Sequence, residues 1–326
     1  MNTRLYLSTD ANLRKLAAIL TNGDLVAVPT ETVYGLAADA LNEEACRKIF
    51  TAKNRPTEDP LIVHIHDIEQ AKSLAHWNET AGILADSFWP GPLTLILRKK
   101  PIVPDIITAG LDSVALRMPR HRDFLSLLKI VNTPLAAPSA NPFGYISPTT
   151  SGHVMDHLGG KIPAILEGGP SDIGVESSIV DIRDEHHPKL LRPGGISQQR
   201  LSKVLSCSVD RYQPKISEDE AAIAPGLLKR HYSPATPVQL HLSFPGEKSV
   251  RQAWVFFSTG DSNLDHQDNF FTLSADGTGE SAAKRLFALL RNLDGKHFDC
   301  INVERVPIDD PWAEAINDRL QRAAAR

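Results

Sequence analysis

Apolar residues first recur at helical spacing in "NLRKLAAILTNG", where Leu13, Leu16, Ala17 and Leu20 share a face and Gly23 closes the run. "LVAVP" follows as a buried strand, which opens a helix and strand alternation. "NEEACRKIF" repeats the helical spacing behind the cap Asn42, with Cys46, Ile49 and Phe50 turned inward for core packing, and "PLIVHI" is the next strand. The same patterns predict helices at "NETAGILADSF" and "RDFLSLLKIV", strands at "LTLIL" and "SVALRM", and short strands at "LAAP", "AILE" and "SSIVDI". Strands mixed with helices and short Pro/Gly-rich turns indicate an α/β domain with a largely covered sheet, ending near Leu205.

From Cys207 to Pro237 the chain turns polar, proline-bearing and weakly periodic, the texture of a linker. Beyond it "AWVFFS" and "FDCINVERV" read as strands, and "GESAAKRLFALLRNLD" and "PWAEAINDRLQRAAA" as amphipathic helices, the latter with Asp310 as cap and Pro311 in its first turn. The expected organisation is an α/β domain over 1–205, a linker over 206–237 and a smaller, Rossmann-like α/β domain over 238–326. A length of 326 residues agrees with two domains.

Charge and cysteine content narrow the function classes. A net charge of -4 argues against a protein wrapped in nucleic acid and makes any polyanion site a local one. Cys46, Cys207 and Cys300 are odd in number, far apart and without a CxxC spacing, so neither a disulfide framework nor a zinc site is suggested, and a reducing setting fits. "MNTRLYLSTD" lacks the apolar core of a secretory signal, and no apolar run approaches the ~20 residues of a membrane span; the expected location is the cytoplasm, with no membrane partner.

The common nucleotide and metal signatures GxxxxGK[ST], GxGxxG and HExxH are missing, so phosphate would have to be held by another route. In "TAKNRPTEDPLIVHI" the proline pushes Arg55 out of the helical region, and Lys53 to Pro56 read as the non-helical exit of the preceding helix. Residues i and i+2 of an extended segment point the same way at ~7 Å. Lys53 and Arg55 would then form a cationic clamp suited to a polyphosphate. "APSANPFGYISPTT" repeats the device with short donors: Asn141 precedes a proline, which sets it beside Ser139 on one side of the chain. "SVALRMPRHR" ends a strand on Arg117, where a charge commonly faces a ligand, while Arg120 and Arg122 read as surface. Thr30 and Thr32 read as turn caps, His64 as a satisfied core histidine, Ser177 and Ser178 beside Glu176 as a glycine-rich turn, and Arg192 as an extended arginine before "PGG".

Taken in order, "PTETVYGLAADA", "KNRP", "PLIVHI", "FWPGPLTLIL", "VALRMPRH", "PSANPFGYISPT", "ESSIVDI" and "LLRPGG" closely resemble the YrdC family. "APGLLKRHYSPATP" and the final "AINDRLQRAA" resemble its long form, which carries an extra C-terminal domain. The resemblance implies a YrdC-like twisted mixed sheet with flanking helices. It also implies a nucleotidyl transfer in which L-threonine, bicarbonate or CO2, and ATP with Mg2+ give threonylcarbamoyl-AMP and pyrophosphate. A separate tRNA threonylcarbamoyl transferase complex would use the product; direct tRNA binding by this chain is left open, as are the metal ligands. By the same likeness Lys53, Arg55, Ser139 and Asn141 are catalytic, and Thr32, His64, Arg117, Ala137 and Ser177 line the threonine pocket. Arg55, Asp59, Ser113, Ser139, Ser147, Arg192, His231 and Tyr232 would approach ATP. Many relatives have asparagine at Asp59, so a carboxylate there should face Mg2+ or point away.

That chemistry joins two anions, since a carbamate oxygen must attack the α-phosphorus of ATP, and cationic neutralisation is its main requirement. No side-chain nucleophile is needed. "KRHYSP" is expected to close over the nucleotide and keep the mixed anhydride from water. Two rival readings are an RNA-binding module that makes no adenylate, and an enzyme that adenylates carbamate from another donor such as carbamoyl phosphate.

Overall fold

The computed structural model describes residues 2–212, 224, 226, 231–244, 248–258 and 268–325. The first unit opens with β1 (Arg4–Leu7), α1 (Asp10–Thr21), β2 (Val26–Val28), β3 (Gly35–Asp39), α2 (Glu43–Lys53), β4 (Ile62–His64) and α3 (Ile68–Leu74). It continues through α4 (Glu79–Phe88), β5 (Leu93–Arg98), α5 (Asp105–Thr108), β6 (Ser113–Arg117), α6 (Arg122–Val131) and β7 (Leu135–Ala136). It closes with α7 (Ser151–Leu158), β8 (Ala164–Glu167), β9 (Ser178–Asp181), β10 (Lys189–Arg192), α8 (Gln198–Leu205) and β11 (Asp210–Arg211).

These strands form one mixed sheet in the order β1-β8-β2-β3-β7-β4-β6-β5-β9-β10-β11. Helices follow the local chemistry: Thr9, Asn42 and Asn78 each accept a backbone N–H at the start of α1, α2 and α4. The α1 face of Leu13, Leu16, Ala17 and Leu20 packs with Phe124, Leu127 and Leu128 of α6 on one sheet face. On the other, Ala45, Cys46, Ile49 and Phe50 of α2 join the main core, where burial pushes the Cys46 thiol up to about 12.

Two local expectations are corrected. Lys53 is the last residue of α2, not part of an extended exit, and Asn54 ends the helix in the left-handed region at φ 50°. Lys53 and Arg55 are therefore not an extended i, i+2 pair. Asp310 does not cap the last helix either; its carboxylate accepts from Trp312 N at 2.7 Å and from Gly279 N at 2.8 Å.

The second unit holds β12 (Val238–His241), β13 (Ala253–Ser258), β14 (Phe270–Ser274), α9 (Gly279–Asp294), β15 (Ile301–Glu304) and α10 (Ala313–Ala324). Its sheet runs β12-β15-β13-β14 with every pairing parallel. Val33, Ile146, Val175 and Tyr232 pack into the same apolar cluster as Phe287, Ile316 and Leu320, so the two units share a core. Arg291 of α9 reinforces that seam by donating to the carbonyls of Ile146, Ser147 and His153.

Within the first sheet, β4 and β6 run parallel, β5 and β6 antiparallel, and β9 follows β5. The C-terminal ends of β4 and β6 and the start of β9 thus open on one edge. β9 and β10 are antiparallel, which brings the end of β10 to the same edge.

Candidate functional site

A cleft lies along that edge. Thr30 and Thr32 enter from the loop after β2, His64 and Arg117 from the last positions of β4 and β6, and Ala137 and Ser139 from the segment after β7. Arg55 comes from beyond α2, Arg192 from the end of β10, and Gly226, His231 and Tyr232 from the connection between the two units.

Arg117 is buried and forked. Its Nη2 lies 2.7 Å from Glu31 Oε1, its Nη1 donates to Thr32 Oγ1 at 3.0 Å, and its Nε donates to Gly91 O. Burial alone would raise the Glu31 pKa, but Arg117 and two backbone N–H groups lower it overall. Thr30 Oγ1 accepts from the N–H groups of Thr32 and Val33, so the turn-cap expectation holds while the side chain also lines the cleft. His64 is buried, and neither ring nitrogen has a hydrogen-bond partner. Burial and the nearby Arg117 hold its pKa well below the usual histidine range, and so it is neutral and faces the cleft rather than being a satisfied core residue.

Arg55 and Arg192 form the other cationic wall. Arg55 donates to Asp59 O and to Pro60 O at 2.8 Å, and its Nη2 lies 2.9 Å from the Asp59 carboxylate, a contact without hydrogen-bond alignment. Arg192 donates to Ser177 O and Ser177 Oγ, and Ser177 Oγ also bonds Thr94 Oγ1 at 2.7 Å. Burial lowers the pKa of Lys53, Arg55 and Arg192 and raises that of Asp59, which Arg55, Lys53 and Arg192 oppose. Cations held away from water in this way gain most from an incoming polyanion.

Several expected site residues stand behind the cleft wall. Lys53 Nζ donates to Ser139 O and Asn141 O, which ties the end of α2 to the loop after β7. Asn141 turns inward, its amide donating to Pro142 O and Tyr145 O, so it does not share a side with Ser139. Ser147 donates to Glu176 Oε1 at 2.5 Å. Ser113 lines a separate small hollow with Leu61, Ile107 and Ala115. Arg120 and Arg122 are exposed, as expected of surface residues.

Gly194 explains why "RPGG" is more than a turn. A Cβ there would stand 2.3 Å from Ser178 N and 2.4 Å from Glu176 O, so only glycine lets the segment after Arg192 close on the Glu176–Ser178 segment. Glu31, which holds Arg117, and Glu176, which lines the cleft, were given no site role by the sequence reading; the available signal was a carboxylate between Thr30 and Thr32 in one case and before Ser177 and Ser178 in the other. Among the described residues, no group of three or more His, Cys, Asp or Glu side chains could hold a metal ion, and no helix is long and apolar enough to cross a membrane.

Two family models match this chain: Sua5/YciO/YrdC, described as "Telomere recombination", over residues 18–194, and "Threonylcarbamoyl-AMP synthase, C-terminal domain" over residues 196–325. The chain is 40% identical to a Pyrococcus abyssi protein named threonylcarbamoyl-AMP synthase, over 96% of this chain and 94% of that one. It is 39% identical to a Bacillus subtilis protein of the same name, over 98% of this chain and 94% of that one. The crystal structure of P. abyssi Sua5 complexed with L-threonine matches with a TM-score of 0.88 at 38% identity, covering 99% of this chain and 98% of that one.

Proposed function

The chain belongs to the Sua5/YciO/YrdC family, and on that premise we propose that it makes threonylcarbamoyl-AMP and pyrophosphate from L-threonine, bicarbonate or CO2, and ATP. The observation that carries this reading is the convergence of three buried arginines, Arg55, Arg117 and Arg192, on one cleft that also holds the hydroxyls of Thr30, Thr32 and Ser139, the rings of His64 and His231, and a single carboxylate, Glu176.

The reaction divides between the two cationic walls. Arg117, fixed by Glu31 and Thr32, presents a planar fork that suits the carboxylate of threonine or the carbamate made from its amine. Neutral His64 adds a polar wall without repelling the amine. Arg55 and Arg192 hold the triphosphate and balance charge as the carbamate oxygen attacks the α-phosphorus and pyrophosphate leaves. Lys53 acts through the loop it anchors, which sets Ser139 against the reacting oxygens. Ser177 holds Arg192 through its carbonyl and hydroxyl and Ser147 acts through Glu176, whereas Ser113, in its separate hollow, lies outside the cleft lining.

Mg2+ fits as an ion that arrives with the nucleotide. Such an ion keeps several waters and needs only one or two protein carboxylates, and Asp59, a buried carboxylate beside Arg55 whose oxygens accept no hydrogen bond, would be the residue to hold it. When bound it supplies charge neutralisation on the triphosphate. The working location is the cytoplasm, and the product passes to a transferase complex that modifies tRNA; the compact, three-arginine cleft suits a small ligand better than RNA.

Mass spectrometry of the reaction with isotopically labelled bicarbonate tests the assignment. The expected product carries one labelled carbon, threonine and AMP. An unlabelled adenylate, or none from folded protein, would refute it.

A further inference from the structure

The C-terminal unit sends a charge into the cleft wall. Arg319 of α10 is fully buried, with its Nε 2.9 Å from Glu176 Oε2, its Nη1 2.9 Å from Asp318 Oδ2 and its guanidinium 5.5 Å from the centre of the Tyr232 ring. Glu176 in turn lines the cleft beside Ser177, the residue that Arg192 grips, and accepts from Ser147 Oγ through its other oxygen. Asp318 is held separately by Arg322, with Nη2 to Oδ1 at 3.0 Å. Burial disfavours the Arg319 charge, but the Tyr232 oxygen, Glu176 and Asp318 keep its pKa raised, so the guanidinium is charged.

A carboxylate on the wall of a site for ATP is a liability: it repels the triphosphate in a region where water screens little. It is tolerable once a buried cation cancels it. We infer that Arg319, supplied by the C-terminal unit, is a positioning residue that neutralises Glu176, so that Glu176 can orient Ser147 and Arg319 can back the Tyr232 ring without expelling the nucleotide. This rests on the ATP-dependent reading above, and it gives the C-terminal unit a part in forming the cleft.

The test is calorimetric binding of a non-hydrolysable ATP analogue with Mg2+, and separately of L-threonine, to full-length wild type, Arg319→Gln, Glu176→Gln and the double variant. Neutralisation predicts effects of opposite sign. Arg319→Gln weakens the analogue by about tenfold, Glu176→Gln strengthens it by a few-fold, and the double variant returns to within about threefold of wild type. Threonine, with no net charge, changes little throughout. A mere structural tie predicts loss in both single variants with no recovery in the double, and that result would overturn the inference. Should Arg319→Gln fail to fold, the sign of the Glu176→Gln effect decides: weaker binding refutes neutralisation. A wild type that binds threonine but no analogue contradicts the proposed function, whereas analogue binding in the wrong order contradicts this inference alone.

Discussion

At the scale of single residues, the cleft works because buried charges are paired across long stretches of chain. Glu31 and Arg117, 86 residues apart, make a contact with little solvent at either end. Glu31→Gln leaves Arg117 buried without its counter-charge, a loss of about 3 kcal/mol in stability. Because Arg117 then loses its orientation, the threonine KM rises about tenfold while the ATP KM moves little; urea unfolding and steady-state kinetics read the two effects. Lys53→Met keeps the packing but removes the donor to Asn141 O and one of the two donors to Ser139 O, which still accepts from Asn141 N, and costs about 1–3 kcal/mol. Neither partnership was legible locally. The residues around Lys53 pointed to a basic clamp, but the side chain's destination lies 86 and 88 positions away, where no periodicity reports it. Arg55, Arg117, Arg192 and His64 were legible as cleft residues through motif order, while the orphaned nitrogens of His64 were not.

Among elements, hydrophobic spacing located α1, α2, α4, α6, α9 and α10 because each buries one stripe and most begin at a capping side chain. It passed over β1, β3, β11, β12 and β14 among the strands and α3, α5, α7 and α8 among the helices, all of them short. Arg291 and Arg319 sit inside otherwise apolar stripes of α9 and α10, beside Leu290 and Leu320, and an arginine in that position was the signal that these helices face a polar neighbour. The connection between the units contributes His231 and Tyr232, both buried in the cleft, with Tyr232 in the left-handed region at φ 60°. If this element shields the mixed anhydride, Tyr232→Ala raises ATP hydrolysis relative to threonylcarbamoyl-AMP formation. Unchanged coupling in a product-to-pyrophosphate ratio assay would remove the shielding role.

For the whole molecule, buried neutral histidines set an acid limit on stability. Both His64 and His231 have folded pKa values well below 6.5, chiefly through burial. Below about pH 6.5 the unfolded chain binds protons that the folded protein refuses. Stability is therefore complete above that pH and falls as the pH drops, by up to about 1.4 kcal/mol per pH unit for each histidine. Glu31, with its folded pKa below 4.5, adds a further loss in the same direction at lower pH. Urea midpoints measured between about pH 7.5 and pH 5.5 should decline, and a flat profile would show that these rings are not held neutral.

The shared core and the Arg291 and Arg319 contacts make the two units one working site, with the first unit supplying the cationic walls and α9 and α10 of the second packing Phe287 and Arg319 against Tyr232 of the connection. The central claim is threonine-dependent adenylation in that cleft. Pyrophosphate release from ATP, Mg2+ and bicarbonate, measured with and without L-threonine, tests it most directly. The account predicts release that requires threonine and falls on the order of a hundredfold in Arg55→Ala. Folded wild-type protein that releases no pyrophosphate, or releases it equally without threonine, would contradict it.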